Sequence, residues 1–410
     1  MKILLVSRGS QGDVYPYLAL ASELARFNHD VTISLPAVFE KEAQFFGLNY
    51  VVQGGDDILN MVETSTNTHD LLAWTRRVIH SQFDELIPLV KRYDVLVASN
   101  TEFGAPTIAE YCKTPLIRTA YAPLLPGKHL PPPVMPIPRH PVISPFWQWK
   151  LLNLGLNLMV KKVLNKHRDQ LGMPPIEDQG EHAPRHAVNY LMYSRFLGET
   201  DPDWDYEWSI GGYCFNDALH YDELSYRKLL DFMQKDTKPT IFFTFGSCTS
   251  KKGNQFCAWL CDICEKQGYK LILGAGWWDF GVELREKSHV FLLNSGIPHG
   301  LIFPFCSAII HHGGSGTTHS VGRAGKPQLV VPILLDQFYW GRRVFILGLG
   351  PDSVRLARFS QSELAAKVKD LVTNPTYQQN AAILGEHIRG ESGMQNLCEF
   401  ILSLKRKKNT

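Results

Sequence analysis

The chain has 410 residues, 44% hydrophobic and 20% charged, a balance that excludes a largely disordered protein and lets each of two halves bury its own core. Lys and Arg number 42 against 40 Asp and Glu, a net charge of +2, which argues against a dedicated nucleic-acid binder because neutralising phosphates takes a basic excess. No apolar run approaches the roughly 20 residues of a membrane span, and the apolar start Met1–Val6, soon followed by Arg8 and Gly9, is too brief for a signal-peptide core; a cytoplasmic setting is predicted, with the eight cysteines as free thiols.

In chain order, Ile3–Ser7 predicts a buried strand, an apolar run closed by glycine. The loop Arg8-Gly9-Ser10-Gln11-Gly12-Asp13 follows. Leu18, Ala21, Leu24 and Ala25 recur at helical spacing, in a helix that starts near Val14 with Pro16 in its first turn. Val31–Leu35 and Asp94–Ala98 predict two more strands, the second leading into a helix through Ile108 and Glu110. Residues 123–149 break the rhythm, with nine prolines from Pro123 to Pro145 ahead of Phe146, Trp147 and Trp149. So much proline suits neither a regular helix nor a central strand, so a long loop is predicted, then a helix over about residues 150–171. Residues 216–238 are polar and read as a linker. Thr240–Phe245 predicts a strand that ends in Gly246-Ser247, followed by a helix over Phe256–Lys266 and strands at Lys270–Leu273, Ala308–His311 and Gln328–Val331. Strands alternating with helices predict an α/β protein whose parallel sheets are covered on both faces. The end of the chain reads as a helix over Gln395–Leu404 and a solvated basic tail, Lys405–Lys408.

Open α/β sheets bind ligands beyond the carboxyl ends of their strands. Three glycine-rich loops are predicted there: Gly9-Ser10-Gln11-Gly12, Gly246-Ser247, and His311-His312-Gly313-Gly314-Ser315-Gly316-Thr317-Thr318. Glycine lets backbone N–H groups approach an anion, and hydroxyls and a helix N-terminus add donors. In the third loop a diphosphate would meet backbone amides, Thr317 and an imidazole. The competing reading of each loop is a tight strand-to-helix turn that needs glycine for packing. None is a P-loop, since no lysine follows the glycines, and the first lacks the third glycine of a dinucleotide fingerprint.

The stretch from His311 to Pro351, HHGGSGTTHSVGRAGKPQLVVPILLDQFYWGRRVFILGLGP, resembles the nucleotide-sugar signature of glycosyltransferase family 1. RGSQGDVYPYLALASELARFNHDV, from Arg8, is similar to the opening motif of that family's sterol and antibiotic-aglycone glucosyltransferases. Phe245-Gly246-Ser247, Asn165–Arg168 with Leu171–Pro175, and Ile210–Tyr213 also match family segments, so the resemblance spans almost the whole chain. It implies the GT-B fold, two doubly wound Rossmann-like domains facing across a cleft. The expected divisions are an acceptor domain 1–215, a linker 216–238, a donor domain 239–390, and a terminal helix and tail 391–410 returning toward the first domain.

The resemblance also implies roles. Asp13 is the expected base that takes the acceptor's hydroxyl proton, which requires partial burial to raise its pKa; the competing reading is an N-cap for the helix from Val14. His312 and Thr317 fit the family's phosphate contacts, with Gly314, Ser315 and Gly316 beside them and Gly9, Ser10, Gly12 and Ser247 across the cleft. His311 is assigned a structural role. Asp336-Gln337 matches the pair that holds sugar hydroxyls, which favours a hexose such as glucose. Ile297-Pro298-His299 resembles the turn whose backbone meets the base. Many relatives carry Trp two residues before that Pro; here Gly296 stands next to Ile297 and Ser295 before it, which leaves UDP and TDP both open. No cofactor and no metal are expected, the diphosphate being stabilised by amides, hydroxyls and a helix dipole. Glu102 is a distant reserve for the base.

The expected partners are a nucleotide diphosphate sugar and an apolar hydroxylated molecule, a sterol, lipid or aglycone. Phe146, Trp147 and Trp149 are expected to receive that acceptor, and the lysines that follow them fit peripheral contact with an anionic membrane. Cys257, Cys261 and Cys264 have the spacing of an iron–sulfur motif, but a helical pattern spreads their thiols along one apolar face. Two rival functions remain: a GT-B sugar-nucleotide epimerase, which would have little use for the apolar excursion, and a binding protein with a degenerate nucleotide-sugar site.

Overall fold

The apolar runs predicted as strands all become parallel strands. The computed structural model describes residues 1–54, 68–135, 142–218, 221–246, 252–275, 287–294 and 296–408. The first sheet contains β1 (Lys2–Val6), β2 (Asp30–Pro36), β3 (Asn49–Gln53), β4 (Val95–Ser99), β5 (Leu116–Ala120), β6 (Val188–Leu191) and β7 (Trp208–Ile210), in the order β3-β2-β1-β4-β5-β6-β7. The second contains β8 (Thr240–Thr244), β9 (Lys270–Gly274), β10 (Val290–Leu293), β11 (Ala308–His311) and β12 (Gln328–Val330), in the order β10-β9-β8-β11-β12. All the pairings are parallel. Ile3, Leu4, Leu5 and Val6 are all fully buried, because helices cover both faces of such a sheet. Their side chains alternate, Ile3 and Leu5 joining one core and Leu4 and Val6 the other. The two α/β domains and their parallel sheets match the predicted fold class.

Helix α1 (Gln11–Arg26) starts three residues earlier than predicted, with Ser10 as its N-cap. Asp13 therefore lies inside the first turn rather than at the cap, and Pro16 falls in the second turn. The predicted loop ends earlier as well. Helix α2 (Pro145–Leu156) has Ser144 at its N-cap and a proline at its first position, and it continues through a π-turn, Asn157–Lys161, into a helix over Lys162–Gln170. Phe146, Trp147 and Trp149 thus belong to a helix. The stretch read as a linker contains a helix, Glu223–Gln234, whose Leu229 and Met233 enter the second domain's core. Cys257, Cys261 and Cys264 are buried in an unbroken helix, Gly253–Gln267.

The terminal helix, Gly393–Lys408, places Leu397, Cys398 and Ile401 in the core of the first domain. A further apolar cluster spans both domains, with Leu191, Tyr193 and Leu197 from the first and Tyr339, Trp340, Val344 and Leu384 from the second. Among the described residues no helix is long and apolar enough to cross a membrane.

Candidate active site

In both sheets the strand order reverses beside the first strand of the set, at β1/β4 and at β8/β11, and the crevice for a ligand opens at such a point. The loops that leave these four strands face one another across a cavity of about 1390 Å³. One wall carries Arg8–Asp13, Glu102, Tyr121 and Trp149; the other carries Thr244, Gly246, Ile297, His312, Gly314–Thr317, Asp336 and Gln337. Arg8, Glu102 and Thr244, with Arg323, which also lines the cavity, were not among the expected ligand contacts.

Asp13 is held by its own loop. Its carboxylate Oδ2 accepts from the Ser10 N–H (2.9 Å) and the Ser10 hydroxyl (3.2 Å). Its carbonyl accepts from Ser7 Oγ (3.0 Å) and Tyr121 Oη (2.9 Å). Ser10 is thus engaged with the base itself. Gly9 has φ +136°, and a Cβ there would run into the Asp13 carboxylate, so only glycine fits. Burial lifts Asp13 from 3.8 to about 6, against the opposing pull of the Ser10 donors. A carboxylate near 6 is an effective proton acceptor at neutral pH.

Glu102 lines the same cavity, closer to the first loop than the sequence suggested. Arg8 and Glu102 are both buried, with Nε and Oε1 3.7 Å apart, and Gln82 Nε2 donates to Glu102 Oε2 (2.6 Å).

On the facing wall, helix α3 (Ser315–Ala324) begins after Gly314. The Thr318 N–H bonds back to the Gly314 carbonyl (3.0 Å); the N–H groups of Ser315, Gly316 and Thr317, in that first turn, have no carbonyl of the helix to bond and can serve an anion. His312 is wedged between two glycines: a Cβ on Gly246 would sit 2.8 Å from its Cε1 and one on Gly314 2.5 Å from its Nε2. Its Nδ1 is buried with no hydrogen-bond partner among the described residues, the condition of a group that awaits a ligand. Burial, with His299 nearby, pulls His312 down to about 4, so the free ring is neutral. His311 has the structural role expected of it. Its Nδ1 accepts from the Gly313 N–H (3.0 Å), which leaves Nε2–H to donate to Gln328 Oε1 (2.9 Å).

Ser315 Oγ donates to the Tyr121 carbonyl of the first domain (2.9 Å), so its hydroxyl proton serves the domain interface. Asp336 stands at the N-cap position of helix α4 (Gln337–Ile346) without a side-chain cap bond, and its carboxylate accepts from Trp340 Nε1 (3.0 Å). Burial lifts it to about 7, and Asp13 adds to the shift. Gln337 Oε1 accepts from the Ile333 and Leu334 N–H groups (2.8 and 3.0 Å), which fixes the bend ahead of Asp336; Leu335 within that bend has φ +51°. Ser247 lies outside the described residues.

The three acceptor-side aromatics divide. Trp149 lines the cavity and donates from Nε1 to the Leu130 carbonyl (2.8 Å). Phe146 and Trp147 do not line it and are 42% and 60% exposed: helical spacing turns Trp147 to the side opposite Trp149, and Phe146, one turn before Trp149, sits at the exposed start of the helix. Outside the cavity, Glu110, His182 and His186 bring ligand atoms within 4.8 Å of one another. Arg168 already pairs with that carboxylate (Nη1–Oε2 2.7 Å), and a guanidinium there opposes a cation.

The Glycosyltransferase family 28 N-terminal domain matches residues 3–124, and the C-terminal domain described as Erythromycin biosynthesis protein CIII-like matches residues 290–399. The chain is 25% identical to sterol 3-beta-glucosyltransferase UGT80A2 of Arabidopsis thaliana over 96% of its own length and 64% of the relative's. It is 28% identical to vancomycin aglycone glucosyltransferase of Amycolatopsis orientalis, over 85% of each chain. The crystal structure of the glycotransferase of kitacinnamycin superposes with TM-score 0.73 and 19% identity, covering 98% of both chains. The chain thus spans just under two thirds of the plant relative. These matches at both ends of the cleft, on two parallel-sheet α/β domains, place the chain among the GT-B glycosyltransferases of the family 1-like type.

Proposed function

We propose that this chain transfers a hexose, with glucose the expected sugar, from a UDP-sugar to a hydroxyl of an apolar acceptor such as a sterol, lipid or natural-product aglycone, with inversion at the sugar. The observation that carries the reading is that one cavity is lined by Asp13, lifted to about 6 by burial, by the N-terminus of α3 and by a group of apolar side chains that we read as an acceptor chamber. The chamber is lined by Trp74, Val78, Phe103, Leu152, Leu156 and Met159, a surface suited to a ring system with few polar groups. An enzyme working on the donor alone, such as an epimerase, has no use for that chamber.

In this mechanism the N–H groups of Ser315, Gly316 and Thr317, the Thr317 hydroxyl and His312 take the charge that develops on the departing diphosphate. Asp336 and Gln337 lie where sugar hydroxyls would be held, and Ile297 where the base would rest. Asp13 accepts the acceptor proton as the hydroxyl attacks the anomeric carbon from the face opposite the leaving group. No metal or cofactor enters the scheme, and TDP is the alternative to UDP. Contact with a membrane that carries such an alcohol belongs to the same reading.

UDP release from UDP-glucose, followed with a panel of lipophilic alcohols and repeated in chelator, tests it. Acceptor-dependent release that survives chelation is expected, and Asp13→Asn should lower turnover by about 10²–10⁴-fold while donor binding persists. Near wild-type turnover in that variant would remove Asp13 from the role.

A further inference from the structure

Helix α2 and the turns after it have two apolar faces. The inner one is anchored and belongs to the cavity: Trp149, Leu152, Asn153, Leu156 and Met159 line it. Trp149 bonds to the Leu130 carbonyl, and Asn157 Oδ1 accepts from the Gln179 N–H (2.8 Å). The outer face repeats at the same helical spacing and is left uncovered among the described residues. Trp147 is 60% exposed, Leu151 53%, Leu154 58% and Leu158 75%, with Val142 (98%) just ahead of the helix. Because the inner face is pinned by hydrogen bonds, rotation about the axis cannot hide these side chains. A contiguous stripe of this kind marks an interaction surface rather than scattered exposed leucines.

The charge pattern identifies the partner. From Tyr111 to Arg168 the sequence contains no Asp or Glu, although the whole chain has 40. Lys150, Lys162 and Lys166 are exposed beside the stripe, and Lys150 Nζ lies over the Phe146 ring (5.7 Å to its centroid). An apolar stripe with tryptophan at its margin and lysines alongside is the chemistry of a helix lying in the interface of an anionic bilayer.

We infer that the outer face of α2 and the π-turn docks on an anionic lipid bilayer, leaving a single helix between the lipid and the acceptor cavity. The inference rests on the proposed apolar acceptor and adds the surface through which the protein reaches it. Phe146 and Trp147, expected as acceptor contacts, become anchors. Lysines near an anionic surface are held by an attraction that salt screens, so binding should weaken as salt is raised.

The test is vesicle co-sedimentation of the full chain, with phosphatidylcholine alone and with phosphatidylcholine containing phosphatidylserine. Leu154→Glu with Leu158→Glu alters only exposed positions, so the fold should persist, as circular dichroism and melting would report. Wild type is expected to pellet with the anionic vesicles, less so at high salt, and the double variant at least tenfold less. Equal pelleting of variant and wild type overturns the inference. So does a wild type that binds neither vesicle, or one that forms a dimer in the ultracentrifuge which the double variant dissolves, since the face would then belong to a second copy. UDP release with a water-soluble alcohol reads the transfer activity separately: if it is lost in wild type the proposed function fails, whatever the vesicles show.

Discussion

Asp13 and Asp336 set the protonation chemistry of the cleft. Both are lifted by burial, to about 6 and about 7, and the nearness of Asp13 adds to the second shift. As a base, Asp13 must be ionised, so kcat/KM should fall about tenfold per pH unit below pH 6 and level off above it. A bound diphosphate adds negative charge and should move the same limb in kcat to higher pH. The shift also bears on stability. A carboxyl raised from 3.8 to about 6 on folding gives stability that is complete below pH 3.8 and lost as pH rises through 6. At pH 8 the buried carboxylate therefore costs on the order of 3 kcal/mol relative to a neutral group. Asp13→Asn, which keeps an oxygen for the Ser10 N–H, should raise Tm at pH 8 and leave it unchanged at pH 4. An equal change at both pH values would show that Asp13 carries no such burden.

Glycine loops are the elements that the sequence marks best, and the reason is steric. Gly246 and Gly314 close on the two sides of the His312 ring, so any side chain at either position must move the imidazole. A ring that donates one hydrogen bond to a charged diphosphate is worth about 1.5–3 kcal/mol, so His312→Ala should weaken UDP binding roughly ten- to a hundredfold by calorimetry. Gly314→Ala should do the same, and adding it to His312→Ala should cost little more, because the group it displaces is already gone. Full additivity of the two losses would separate the glycine from the histidine. The strands were legible for a related reason: with both faces covered, β1, β4, β8 and β11 read as unbroken apolar runs. Strand β5 contains Arg118 and β7 is only half-buried, so neither stood out. The helix Glu223–Gln234 buries just Leu229 and Met233, too little to lift it above a polar linker. The outward turn of Trp147 was not legible either, since it depends on how Trp149 and Asn153 seat α2 against the rest of the first domain.

At the scale of the whole molecule the two domains share more than a cleft. His319, on α3 just behind the anion-binding turn, accepts the Ser194 N–H of the first domain at Nε2 (3.1 Å) and donates from Nδ1 to the Ser315 carbonyl (2.7 Å). Its ring stacks on Tyr213 (4.7 Å between centroids, 17° between planes) and meets Trp340 edge-on. Arg343 pairs with Glu199 (2.8 Å) and donates to the Leu197 carbonyl (2.8 Å). Around these polar contacts runs the apolar cluster that both domains build. Interdomain surfaces are ordinarily polar and permit motion, whereas this one is packed as a core. The domains are therefore expected to melt as one unit. Tyr193 is the informative position: it is fully buried, its ring meets Trp340 edge-on at 5.9 Å, and its hydroxyl donates to the Glu199 carbonyl (2.6 Å). Tyr193→Ala should cost about 3–5 kcal/mol through the cavity and the lost bond. Because the cavity opens at the shared core, calorimetry should show one transition moved to lower temperature. Two resolved transitions in the wild type, with only the first moved by Tyr193→Ala, would mean that the domains fold independently and that the cluster merely lies between them.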